Sequence, residues 1–173
     1  MKTIVIYNSQ TGFTKRYAEW IAEAAGADCL ALPEAKKKNL AGYDAIVFGS
    51  WACAGSIKNL GWFTENMDRW EKKKLIVFCV GGGPADSPDV KTALACKFNE
   101  PKLQKADVFY CPGGFNYEKM SASSRLMMKM FIKMLKAKKG KTAADEEMIK
   151  VISSSYDISD KKYTEPILEC LLD

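Results

Sequence analysis

The feature that most restricts the fold of this chain is a set of short apolar runs without polar alternation. They are "KTIVIY" (Lys2 to Tyr7), "YDAIVFG" (Tyr43 to Gly49) and "KLIVFCVGGG" (Lys74 to Gly83), with a weaker run from Asp28 to Leu32 and another, "ADVFYC", from Ala106 to Cys111. A strand that faces solvent alternates apolar and polar residues, whereas one buried on both faces does not. Between the runs lie helical patterns: Phe13, Tyr17, Trp20, Ile21 and Ala24 after the first, and Leu60, Phe63 and Met67 after the third. Buried strands separated by helices give right-handed βαβ crossovers. The expected fold is therefore α/β: an open, doubly wound, five-stranded parallel sheet with helices on both faces.

At 173 residues the chain fits a single domain, 1–173, and no linker, repeat or low-complexity tract divides it. A domain of this size buries about 70% of its unfolded surface, so it needs no disulfide or metal staple. The six cysteines (Cys29, Cys53, Cys79, Cys96, Cys111, Cys170) form no C-x-x-C pair and read as reduced thiols. No apolar run approaches the ~18 residues of a membrane span, and Met1-Lys2 leads straight into a strand. The expected location is the cytoplasm, with peripheral membrane association left open.

Histidine is absent. That removes Ser-His-Asp and Cys-His catalysis, H-E-x-x-H zinc sites and an imidazole base. No residue type or spacing marks a catalytic acid or base, so difficult chemistry would need a cofactor.

In a doubly wound sheet, ligands sit beyond the carboxyl ends of the strands. Three loops fall there: Asn8 to Thr14, Ser50 to Ile57 and Gly81 to Pro88. In the first, Ser9, Thr11 and Thr14 supply hydroxyls and Gly12 permits close approach where a strand hands over to a helix. A phosphate could take the free helix amides there, although a plain N-cap uses the same residue types. In the second, Trp51 stands among Ser50, Ala52, Cys53, Ala54 and Gly55, either as a wall for a flat ring or folded onto the sheet edge. In the third, Gly81, Gly82 and Gly83 permit close contact with a planar ligand or simply make a flexible turn. The glycines match neither G-x-G-x-x-G nor the Walker spacing, and the "GKT" at Gly140 has Leu135 where the first Walker glycine belongs. Taken together, the loops suit a phosphorylated planar heterocycle.

The arrangement Ser9-x-Thr11-Gly12-x-Thr14 after an N-terminal strand resembles the FMN phosphate loop of the flavodoxin family. The resemblance implies that Ser9, Gln10, Thr11, Gly12, Phe13 and Thr14 hold the FMN phosphate. Ser50, Trp51, Ala52, Cys53, Ala54 and Gly55 would lie beside the isoalloxazine, with Trp51 as a stacking wall. Gly81, Gly82, Gly83 and Pro84 would border its other side. In more detail the chain is similar to the branch that includes menaquinone-dependent protoporphyrinogen oxidases, whose late part carries a similar basic, methionine-rich helix. Implied functions are electron transfer through FMN or, as an alternative, a quinone-linked oxidase at a membrane surface. A flavin-free interaction module on the same fold is the non-enzymatic alternative. Implied partners are a redox protein or a small-molecule or quinone electron acceptor.

Two departures stand out. Electron-shuttle flavodoxins tend to be acidic, whereas this chain carries a net charge of +5. Its glycine loop also lacks the ring-stacking tyrosine, which leaves Phe115 and Tyr117 as candidates for the second wall. The surplus charge is concentrated between Lys119 and Lys141, which holds eight basic residues and no acidic one. On a helix, Arg125, Lys129, Lys133 and Lys136 form one narrow stripe, and Leu126, Met127, Met128, Met130, Phe131, Ile132, Met134 and Leu135 cover the rest. Burial under the C-terminal helices is the expected arrangement. An anionic membrane surface or an acidic protein is the alternative, and nucleic acid is not expected because no reading motif accompanies the charge.

Overall fold

The computed structural model describes residues 1–53 and 55–173. In chain order, strand β1 (Thr3–Tyr7) leads to helix α1 (Phe13–Ala25), β2 (Asp28–Ala31) and a single turn, α2 (Leu32–Ala35). Then come β3 (Ala45–Cys53), a two-residue β4 (Ser56–Ile57), α3 (Leu60–Asn66), β5 (Lys74–Gly81), α4 (Pro88–Ala95) and β6 (Asp107–Pro112). The last part holds β7 (Gly114–Phe115), α5 (Ala122–Ala137), α6 (Ala143–Ile152), β8 (Tyr156–Asp157) and α7 (Glu165–Leu172).

The central sheet has the order β2-β1-β3-β5-β6, and every pair along that path is parallel. The strands are apolar throughout because successive residues serve two different cores. Ile4, Ile6, Ile46, Phe48, Leu75 and Val77 pack toward α3, Trp70 and Leu103 on one face. Val5, Val47, Ile76, Phe78 and Val80 meet Tyr17 and Ile21 of α1 and Ile167 and Leu171 of α7 on the other. Close packing explains one glycine directly. A Cβ on Gly49 would lie 1.9 Å from Cζ of Phe78, its register partner on β5, so the Phe78 ring occupies the space above the glycine.

Tyr17 joins the second core to the end of the sheet. It is fully buried, donates its hydroxyl to Pro112 O at 2.6 Å and accepts from the Asp160 N–H at 3.1 Å. Burial pushes its phenol well above the ordinary tyrosine range, so it remains a donor.

Two features depart from the sequence expectation. The third strand continues past Gly49 to Cys53 and turns back through β4, with Ala52 opposite Ile57 and Cys53 opposite Ser56. Residues 50–53 are thus the far end of a strand. The segment between β6 and α7 also holds two short strands that the apolar runs do not mark, β7 and β8, which pair in a small antiparallel sheet at its base. On that base stand α5 and α6, over the carboxyl ends of the central strands. The expected burial of α5 does not occur: it has no buried residue, its main helical neighbour is α6, and the C-terminal α7 lies on α1 instead.

Candidate functional site

The order of strands reverses beside β1, whose neighbours are β2 and β3, and this opens a crevice at their carboxyl ends. The Asn8 N–H donates to Gly49 O at 2.8 Å and the Asn8 side-chain amide to Ser50 Oγ at 3.0 Å, fixing the first loop to the end of β3.

At the start of α1, Gly12 adopts φ +102°, a conformation that side chains resist, and no side chain caps the helix. Ser9 Oγ accepts the Gly12 N–H at 3.2 Å, but the hydroxyls of Thr11 and Thr14 do not act as caps. The first turn contains no acidic residue, and nothing lies within 4 Å of where a Gly12 Cβ would stand. The amides of the first turn after Gly12 carry the partial positive charge of the helix dipole and have no side-chain cap. The plain-capping reading of these hydroxyls therefore fails at the geometry of the cap, and a phosphate group fits the turn.

Beside this turn lies a cleft of about 440 Å³ that all three loops line: Gln10, Thr11, Phe13 and Thr14 from the first, Trp51, Ala52 and Cys53 from the second, and Gly81 and Gly82 from the third. Val80, Gly114 and Phe115 complete its walls. Met120, Ser124, Met127, Met128 and Phe131 close it from above, with Ile152 behind. Among the described residues no charged side chain lines the cleft. A second groove, also about 440 Å³, continues from Thr11, Gly12 and Phe13 past Lys15, Arg16 and Lys119, where Glu19 and Asp157 balance part of the positive charge. The resulting gradient runs from an apolar chamber to a polar, cationic rim at the helix terminus.

The third loop is held by the β7–β8 base. Tyr156 donates its hydroxyl to Gly82 O at 2.6 Å, Tyr110 donates to Gly83 O at 2.8 Å, and the Gly113 N–H donates to Gly81 O at 2.7 Å. Burial pushes the Tyr156 phenol up to about 12 and raises that of Tyr110 further, so both stay protonated donors. Arg16 reaches across to Asp157 and to Ser159, each at 2.6 Å, and anchors the same base to α1.

Not every sequence candidate reaches the cleft. Ser9 shapes the turn without lining the chamber, and Gly12 faces the cationic groove. Ser50 is fully buried and positions Asn8. Gly55, Gly83 and Pro84 do not line the cleft, and Ala54 lies outside the described residues. Of the two aromatics offered for the second wall, Phe115 lines the chamber. Tyr117 stacks against Phe115 from behind at 6.2 Å and bonds to the Ile152 carbonyl. The methionine roof was not among the sequence candidates. Its signal was present in the surplus of apolar residues around α5, but periodicity cannot say which side of a helix faces a cleft.

A fold of this topology with an uncharged crevice running to an uncapped helix N-terminus defines a doubly wound nucleotide-type binding protein. The sequence matches the family model described as "Flavodoxin domain" over residues 4–142, and the chain belongs to that family. No curated protein matched it. Among solved structures, similar chains include a WrbA-like flavodoxin from Agrobacterium tumefaciens, at 20% identity and TM-score 0.48, covering 72% of this chain and 87% of that one. The Trp repressor binding protein of Bacillus subtilis aligns at 18% identity and TM-score 0.49, covering 73% and 97%. A flavoprotein of Lactobacillus acidophilus in complex with FMN aligns at 18% and 0.48, covering 64% and 91%.

Proposed function

We propose that this protein binds FMN non-covalently and works as a redox protein that passes electrons through it. The observation that carries the reading is the uncapped N-terminus of α1, free of acidic residues, opening onto a neutral cleft walled by Trp51 and Phe115. Family membership supports the same cofactor. In this reading the amides after Gly12 and the hydroxyls of Thr11 and Thr14 hold the phosphate, while Trp51 and Phe115 flank the ring. The backbone of Gly81 and Gly82, oriented by Tyr156, borders its polar edge. The Met127, Met128 and Phe131 side chains exclude water from the chamber. FMN supplies the one- or two-electron chemistry, and no side chain is needed as acid or base. All six cysteines are free, which suits a reducing cytoplasm.

The neutral, methionine-roofed chamber favours a second reading, a quinone-linked oxidase of the protoporphyrinogen type, because it would admit an uncharged apolar acceptor next to the ring. Rapid reoxidation of the reduced protein by a water-soluble quinone, with saturation, would separate this from a carrier that reacts only with a protein partner. A flavin-free interaction module on the same fold predicts no FMN binding at all.

The decisive measurement compares FMN and riboflavin on Thr11→Val with Thr14→Val. Each charge-assisted hydrogen bond to phosphate is worth about 1.5–3 kcal/mol. FMN affinity should therefore fall at least tenfold while riboflavin changes less than threefold. Equal loss of both ligands would show that the loop is not the phosphate cradle, and a protein that stays colourless with added FMN would end the flavin reading.

A further inference from the structure

Helix α5 presents a second face, most of which the cleft does not use. Among the described residues ten large apolar side chains are exposed, and five of them stand on this one helix: Leu126, Met127, Met130, Phe131 and Met134, from 38 to 64% exposed. At about 100° per residue they span an arc of about 140°. Ser123 and these five residues line a shallow outward groove of about 470 Å³. Arg125, Lys129, Lys133 and Lys136, all exposed, form a row along one edge of the arc. Lys139 and Lys141 follow at the end of the helix, Lys138 pairs with Asp145 of α6 at 2.9 Å, and no acidic residue interrupts the run from Lys119 to Lys141. Met148 and Val151 of α6 add exposed apolar surface beside it.

We propose that this face docks on an anionic lipid bilayer, with α5 lying in the plane of the headgroups. Three observations favour that occupant. A second copy of the chain would bring two rows of like charge together with no acid in the segment to offset them. The apolar arc runs from Leu126 to Met134, about 12 Å along the helix axis, as a stripe without the deep pocket that anchors a peptide side chain. The composition is that of an interfacial helix: flexible methionines and one Phe on the buried side and a polybasic flank for the phosphates. Among the described residues no helix is long and apolar enough to cross a membrane, so the contact is peripheral. Docking also has a structural consequence, because Met127 and Phe131 belong both to this outer face and to the roof of the cleft. A bilayer that engages them reaches the mouth of the chamber.

Flotation with sized vesicles tests this on the full chain and needs no bound flavin, so its outcome is independent of the flavin reading. With vesicles of phosphatidylcholine and 30% phosphatidylglycerol at low salt, the protein should float with the lipid. It should stay behind with pure phosphatidylcholine, and the binding should weaken as salt shortens the screening length. At about fivefold per basic residue, Lys129→Gln with Lys133→Gln should weaken partition about 25-fold. Lys36→Gln with Lys37→Gln, which removes the same charge from an exposed site in the turn after α2, should leave it unchanged. Met130→Gln with Met134→Gln should remove the binding that survives moderate salt. Equal loss in the Lys36/Lys37 variant would overturn the proposal in favour of nonspecific charge. So would equal binding to both vesicles or no binding to either, including the case in which the protein instead captures an acidic polypeptide or sediments as a dimer.

Discussion

Substituting Gly82 with Ala would test the coupling between the third loop and the β7–β8 base. A Cβ at this position would stand 2.7 Å from Phe115 Cε2 and 2.9 Å from Tyr156 Oη. Ordinary carbon contacts are about 3.5–4.0 Å, so the Phe115 ring must retreat by about 1 Å. It has little room, because Tyr117 stacks on it at 6.2 Å and Tyr156 meets it edge-on at 5.5 Å between centroids. Overpacking of this kind costs about 1–3 kcal/mol. Displacing Tyr156 also removes its bond to Gly82 O, worth about 1 kcal/mol. The expected loss is about 2–4 kcal/mol, or roughly 4–16 °C in Tm for a chain of this length. Thermal and urea unfolding of the flavin-free protein would measure it. Phe115→Leu should relieve the clash, so the double variant should show a coupling of at least about 1 kcal/mol. Gly42→Ala is the control: nothing lies within 4 Å of its Cβ, and the change should be neutral or stabilising by up to about 1 kcal/mol. A Gly82→Ala loss below about 0.5 kcal/mol, or strict additivity with Phe115→Leu, would refute the argument that this loop is pinned by the aromatic base.

Tyr156 gives a pH-dependent prediction. Its phenol is raised from 10.0 to about 12 by burial, so the folded state holds the proton more tightly than the unfolded state. That contribution is fully present below pH about 10 and is lost as pH rises toward about 12. Tyr156→Phe should be less stable than the parent by about 1 kcal/mol at pH 7, and the two stability curves, followed by urea unfolding, should converge between pH 10 and 12. Parallel curves over that range would rule out the assignment. Lys97, in a run of three residues with positive φ, donates through Nζ to Leu103 O and Ala106 O at 2.9 Å each. Lys97→Met leaves both carbonyls without that donor and should cost about 1–2 kcal/mol in urea unfolding.

Much of this molecule was legible in the chain because its physics is local. Val5 and Ile6, or Phe48 beside Val47, can be read as buried on both faces because a polar neighbour would have nowhere to go in a covered parallel sheet. The turn from Ser9 to Thr14 was legible because a glycine and hydroxyls at a strand-to-helix junction act within a few residues of each other. Ser50 was misplaced for the same reason read in reverse: small residues after a strand look like a loop, but cross-strand pairing carried β3 on to Cys53. Pairing is a property of neighbours that a single run does not reveal.

By itself, the sequence determined the layers, the five parallel strands, the end of the sheet at which the three loops converge and the absence of histidine. Tertiary structure alone decided that Thr11 and Thr14 leave the α1 terminus uncapped, that Phe115 and not Tyr117 walls the cleft, and that α5 roofs it while exposing its other apolar side. The physical reason is that the period of a helix fixes which residues share a face, but only the position of the sheet, the β7–β8 base and α6 determines what that face meets.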